Sequence, residues 1–289
     1  MQRSQQASLF IEEAKILYLE PFTDERFQLR LAAPRIAATA SPGAFLHVRC
    51  DSDLPLRRPF SLMGADPDNG HVTILIKVVG QGTRLLAARR VGDIINVIGP
   101  IGVPFRPLAD RPRALLLGGG LGMPPLIFLA DRLRMRPSFR PLLFIGSEIS
   151  FPFLVRPSQI RIPELPHGVT DAMAPAEEWG IPSRLASRQG YSGCFHGLVT
   201  ELAQTWLAAQ SQSTLGETAL YACGPSPMLR ATARLARRYD LPCQVCLEEF
   251  MACGVGACAG CVTPVTTEAG PAMKRVCVDG PVFDAREVF

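Results

Sequence analysis

Four cysteines near the C-terminal end carry the clearest chemistry in this sequence. They are Cys253, Cys258, Cys261 and Cys277, spaced C-x4-C-x2-C-x15-C. A tight thiolate triplet with a remote fourth is the plant-type arrangement for a [2Fe–2S] cluster. Zinc sites favour two C-x2-4-C pairs, so zinc fits this spacing less well. Four buried structural thiols are the remaining alternative. Gly254, Gly256 and Gly260 interleave the cysteines. They let the main chain wrap an inorganic core closely and aim N–H groups at its sulfurs. Cys243 and Cys246 form a further C-x2-C, but no second pair completes a site, so both read as packing residues. His47, His71, His167 and His196 show no ligand spacing and read as surface or satisfied residues.

Three other patterns suit phosphate. In Arg58-Pro59-Phe60-Ser61 an arginine stands beside a proline-fixed strand start and a hydroxyl. Guanidinium can form two parallel bonds to phosphate oxygens. Taken alone, a surface arginine at a strand start is the better reading. Lys77 is followed by Gly80, Gly82 and Thr83, which can open a short helix with N–H groups for a second phosphate. An ordinary strand-to-helix turn would look the same, yet two such patterns in one β region point to a dinucleotide. The third is Gly118-Gly119-Gly120-Leu121-Gly122, between a buried apolar run and a proline-led helix. It is not a strict G-x-G-x-x-G, so the motif alone is weak. Cys223-Gly224-Pro225 ends another buried run, at the strand edge where ligands bind in open α/β sheets. Cys223 is the candidate catalytic residue there, with a small buried hydrophobe as the alternative.

The elements that must position these residues fall into two patterns. From Glu12 to Gly102, six short apolar or alternating runs separated by Pro, Gly and Asn turns predict a barrel or sandwich: 14–19, 27–32, 44–50, 60–63, 72–79 and 94–98, with a short helix at 83–90. From Arg111, strand and helix alternate, with buried parallel strands at 113–117, 142–146 and 218–222 and helices after the glycine loop, at 197–209 and up to Tyr239. Residues 150–190 hold six prolines and carry no clear period. The uncharged run Ala114–Ala130 is broken by four glycines and two prolines, so it reads as strand, loop and helix rather than a membrane span. Residues 1–8 read as a loose polar tail without a signal peptide.

With 289 residues the chain exceeds one small core. Its composition, 47% hydrophobic and 19% charged, is that of a globular protein. A net charge of +4, from scattered and mostly arginine bases, gives no case for nucleic acid. Cys50, Cys194, Cys223, Cys243 and Cys246 lack a disulfide framework spacing, which favours a reducing cytoplasm.

The stretch Leu247–Cys261, with Arg275–Phe283 behind it, resembles the family of dihydroorotate dehydrogenase B electron-transfer subunits, iron–sulfur flavoproteins of the ferredoxin reductase superfamily. The resemblance covers nearly the whole chain in order, and Asp279-Gly280-Pro281-Val282-Phe283 after Cys277 is among its most specific parts. It implies a multidomain β plus α/β fold: a Greek-key FAD barrel over 9–108, a Rossmann-like NAD(P)-binding domain over 109–242 and a small [2Fe–2S] domain over 243–289. It implies FAD contacts from Arg58, Pro59, Phe60, Ser61, Leu75, Ile76, Lys77, Gly82 and Thr83. Gly118, Gly119, Gly120, Gly122, Gly224 and Pro225 would face the pyridine nucleotide, with Cys223 beside the nicotinamide. Cys253, Cys258, Cys261 and Cys277 would hold the cluster. It further implies an FMN-containing dihydroorotate dehydrogenase catalytic subunit as partner, in a heterotetramer serving pyrimidine biosynthesis.

One departure bears on the nucleotide. Where the family carries an acidic turn, this chain has Ser183-Arg184 and Ser187-Arg188-Gln189-Gly190. Serine and arginine suit a 2′-phosphate, which raises NADP as a substrate, while surface arginines in an arginine-rich chain are an equal alternative. Three rivals stand beside the main reading: a reductase subunit of another oxidoreductase complex, a non-catalytic flavin-binding redox sensor, and a zinc-bound structural tail.

Overall fold

A computed structural model describes residues 9–289; the expected N-terminal tail lies outside the described residues. The chain begins with β1 (Phe10–Phe22), β2 (Arg26–Ala32), β3 (Phe45–Val48), β4 (Arg58–Asp66), β5 (His71–Lys77) and β6 (Ile94–Ile101). They close into an antiparallel barrel in the order β1-β2-β5-β4-β3-β6, a Greek-key path. Each expected segment overlaps one of these strands. Alternation sends Ala14 and Ile16 of β1 and Leu29 and Leu31 of β2 into the core, beside Leu46, Leu62 and Ile74. Turn chemistry matches too: the Asp66 carboxylate accepts from the Asn69 backbone N–H at 3.0 Å, and Gly70 takes φ +64°.

Two short helices flank the barrel. α1 (Pro34–Thr39) was not expected, and α2 (Gln81–Ala87) starts two residues before the expected one. The first N–H groups of α1 are satisfied from a distance. Arg35 and Ile36 donate to the Glu12 carboxylate of β1 at 3.2 and 2.9 Å.

The next part is built on β7 (Arg113–Gly119), β8 (Arg140–Gly146), β11 (Ser183–Ser187), β12 (Phe195–His196), β13 (Thr218–Cys223) and β14 (Cys243–Cys246). They lie in the order β12-β11-β8-β7-β13-β14 and are paired in parallel. β9 (Val155–Pro157) and β10 (Asp171–Met173) form a separate antiparallel pair in the stretch without a readable period. The helices are α3 (Met123–Arg134), α4 (Ala174–Glu178), α5 (Val199–Ala208), α6 (Gln212–Gly216) and α7 (Ser226–Arg238). The uncharged run does resolve into β7, a single 3-10 turn over Gly120–Gly122, and α3. No helix among the described residues is long and apolar enough to cross a membrane.

After the cysteine loop come the hairpin β15 (Val262–Thr267) and β16 (Gly270–Arg275), then β17 (Val282–Asp284) and α8 (Ala285–Val288). β17 is the last strand of the large sheet, beside β14. Contacts divide the chain into two compact units. One holds the residues up to Pro104 with Leu247–Val282, the other Phe105–Cys246 with Phe283–Phe289. The cysteine segment therefore groups with the barrel. The contact division changes unit at 104/105 and 246/247, and Cys243–Cys246 is a strand of the α/β sheet.

Candidate functional site

The four cysteines lie on the loop before β15 and just after β16. Gly254 and Gly256 take φ +68° and +84°, which folds the loop back so that its N–H groups meet sulfur. Cys258 N–H donates to Cys253 Sγ and Gly260 N–H to Cys258 Sγ, both at 3.4 Å. Cys261 Sγ lies 3.3 Å from Cys277 Sγ, and the Cys253 and Cys258 thiols interact with each other. Among the described residues, no three metal-binding side chains converge on one point as a single-ion site requires. The donor set, four cysteine thiols on one loop and the strand end after it, is the one a two-iron centre takes. The thiols also feel one another. Burial pushes Cys253 up, but the N–H groups of Cys258 and Val255 and the Cys258 thiol outweigh it and bring it down to about 7. Burial, then the neighbouring Cys261 thiol, pushes Cys277 up to about 12.

The residues expected at FAD gather at one end of the barrel. β4 and β5 are antiparallel neighbours, so Arg58–Ser61 at the start of one lies beside Leu75–Lys77 at the end of the other. Arg58, Pro59, Phe60, Ser61 and Lys77 are half-buried. Leu75 and Ile76 belong to the core, so they offer a ligand main chain rather than side chain. Cys50 joins this end to α2: its thiol feels the Arg58 charge, and a Cβ on Gly82 would stand 3.2 Å from its sulfur. The Thr83 hydroxyl accepts from Val79 and Gly80 N–H at 2.9 and 3.1 Å and fixes the turn. The two adjacent arginines divide the work. Arg57 donates to the carbonyls of His47 and Asn96 and to the Asn96 side chain, tying β3 to β6. Among the described residues Arg58 donates through Nη1, to the Leu56 and Arg57 carbonyls, and no bond is made by Nη2 or Nε.

In the other unit, β7 and β13 run in parallel with Gly118 opposite Cys223, so the glycine loop and Cys223-Gly224-Pro225 meet at one sheet edge. The approach is main chain on main chain: a Cβ on Gly122 would lie 2.4 Å from the Cys223 carbonyl group and from Gly224 N. Pro124 and Pro125 follow at the first positions of α3, where a missing N–H costs nothing. Cys223 is 0% exposed, so its thiol presents no surface in this conformation.

Two expectations need correction. Arg184 is not available to a 2′-phosphate. It is 5% exposed, and its guanidinium donates to the carbonyls of Val169, Ser183 and Ile160 at 2.9, 2.6 and 2.7 Å. Arg188 is exposed but pairs with Glu148 at 3.0 Å. His47 is neither a surface nor a satisfied residue. It is 0% exposed, and neither ring nitrogen has a hydrogen-bond partner among the described residues. Burial first, then the Arg57 charge, lowers its pKa to about 4, outweighing the Cys253 and Arg57 main chain, which pull the other way. Only its place in an apolar strand run, Phe45–Val48, hinted at this burial.

Comparison with known proteins follows the same division. The iron–sulfur cluster binding domain of dihydroorotate dehydrogenase B matches residues 248–289, and the oxidoreductase FAD-binding domain matches residues 23–105. A dihydroorotate dehydrogenase B (NAD(+)), electron transfer subunit, from Shouchella clausii (strain KSM-K16) is 35% identical over 270 residues, spanning 91% of this chain and 92% of that one. The subunit of that name from Bacillus caldolyticus is 37% identical over 273 residues, spanning 92% and 93%. Among solved structures, an NADH-dependent reduced ferredoxin–NADP oxidoreductase superposes with a TM-score of 0.76 at 24% identity, covering 96% of this chain and 90% of that one. A ferredoxin reductase in carbazole 1,9a-dioxygenase gives 0.61 at 22%, covering 81% and 67%. These structures establish the ferredoxin-reductase-like fold. Sequence likeness along almost the whole of both chains makes this protein a member of the dihydroorotate dehydrogenase B electron transfer subunit family, an oxidoreductase subunit with FAD-binding and iron–sulfur cluster binding domains.

Proposed function

We propose that the subunit itself turns over NAD(H) and passes electrons between that nucleotide and a partner flavoenzyme. The partner is an FMN-containing dihydroorotate dehydrogenase catalytic subunit, joined with this chain in a heterotetramer. One observation carries the reading: the flavin-suited barrel end and the four-cysteine loop belong to the same compact unit. A bound flavin exchanges electrons in pairs with nicotinamide and singly with an iron–sulfur centre, which is why both sites stand on one chain.

The chain's residues bind and orient. Arg58 Nη2 and Nε form a fork for a pyrophosphate oxygen pair, and Ser61 and Lys77 border the same end. Main chain at Leu75, Ile76, Gly82 and Thr83 lines it further. Cys253, Cys258, Cys261 and Cys277 are the cluster ligands. Gly118, Gly119, Gly120 and Gly122 with Gly224 and Pro225 form the pyridine-nucleotide edge, and Cys223 is the residue proposed to border the nicotinamide. NAD is favoured over NADP because the Arg184 guanidinium is already committed to three carbonyls. We place the protein in a reducing cytoplasm, where cysteines such as these nine, none of them in a disulfide, stay reduced.

The test is an anaerobic NADH titration of the purified chain loaded with FAD, iron and sulfide, followed by NADH-dependent reduction of ferricyanide. Bleaching of both the flavin and the cluster absorbance, with turnover, is the expected result. A chain holding both groups that NADH leaves fully oxidised overturns the proposal.

A further inference from the structure

His47 sits where the two redox-related parts of the barrel unit meet. Its strand, β3, pairs with β4, and His47 lies opposite Pro59 of the flavin-suited motif. On its other side is the cysteine loop. A Cβ on Gly254 would stand 2.7 Å from His47 Nδ1, 3.1 Å from Cγ and 3.2 Å from Cε1, so the loop's main chain rests directly on the ring. Both ring nitrogens are sealed from solvent and, among the described residues, neither completes a hydrogen bond, with the Cys253 and Arg57 main chain as polar neighbours. A leucine would fill this space without the penalty of an unpaired buried polar group. A sealed imidazole against the backbone of a ligand loop is the kind of outer-shell contact that orients metal ligands.

We propose that His47 is a positioning residue for the cluster: its imidazole seats the Cys253–Gly254 turn and completes a hydrogen bond to that turn when the cluster is bound. It thereby fixes the first ligand's loop to the strand beside the flavin-suited motif. The proposal rests on Cys253, Cys258, Cys261 and Cys277 being the cluster ligands. His47 acts through the Cys253–Gly254 backbone and takes no part in electron transfer itself.

The full chain carrying FAD, iron and sulfide provides the test, with His47→Leu and His47→Gln compared. His47→Leu is expected to keep its flavin, to lose its cluster about tenfold faster to a chelator, and to shift the electron paramagnetic resonance signal of the reduced cluster. His47→Gln, which retains a donor, is expected to restore most of both. A His47→Leu protein with unchanged cluster lifetime and spectrum overturns the proposal. A double-mutant cycle reads the contact from the loop side and stands even if His47→Leu does not fold. Gly254→Ala brings its methyl against the ring, so its loss of cluster lifetime should be about threefold smaller when paired with His47→Ala. Additive effects overturn the contact. If the parent chain holds flavin but neither iron nor sulfide, the ligand assignment itself fails, and that result is distinct from a failure confined to His47.

Discussion

Arg57, Arg58 and Arg184 share one side chain and have three different fates. Arg57 is absorbed by the barrel, Arg58 donates only through Nη1 among the described residues, and Arg184 is buried on carbonyls. Residue type therefore identifies a phosphate-capable group without saying whether that group is available. Available donors recognise ligands; committed donors hold the fold. Arg184→Ala leaves two buried carbonyls and one half-buried carbonyl without their donor, a loss of about 2–4 kcal/mol of stability. The expected outcome is a lower melting temperature with the ratio of kcat/KM for NADH over NADPH unchanged. A shifted ratio at unchanged stability would return Arg184 to the nucleotide site.

At the scale of elements, the glycine loop and α1 show opposite degrees of legibility. The loop is local: strand, glycines, prolines and helix follow in order, and the reading of Ala114–Ala130 as strand, loop and helix agrees with the structure. The reason for Gly122 is not local, since its close neighbour is the Cys223–Gly224 peptide of another strand. Gly122→Ala forces a methyl against main chain that no rotamer change relieves, at a cost of about 1–3 kcal/mol. It should weaken NADH binding at least severalfold while FAD and cluster absorbance stay at parental levels, as read by nucleotide titration of the loaded chain. α1 escaped notice because its cap is the Glu12 carboxylate, contributed by a different strand. Pro34 suits a first helical position, but Ala33 before it offers no capping side chain.

At the scale of the molecule, the cysteine loop faces outward at one point. Phe250, three residues before Cys253, is 93% exposed, and Cys258 is exposed as well. An aromatic ring held in water next to the proposed cluster ligands suits a docking anchor for the proposed partner subunit. Phe250→Ser should raise the dissociation constant of the complex about tenfold or more. Ferricyanide reduction by the isolated subunit should not change. Surface plasmon resonance with the purified catalytic subunit checks the first, and a steady-state assay the second.

The cysteine spacing, the six barrel runs and the alternation after Arg111 were legible in the sequence because each is set by near neighbours: ligand geometry in a loop, period in a strand, breakers in a turn. The resemblance to the electron-transfer subunit family rested on those same local segments. Only the tertiary structure decided which arginines are committed to carbonyls, with which unit the cysteine loop makes its contacts, and where His47 lies. Those depend on burial and on partners far along the chain, and burial is a property of the folded packing rather than of residue type. The loop that is clearest in the sequence thus rests on a histidine some two hundred positions earlier, which its own spacing gives no reason to single out.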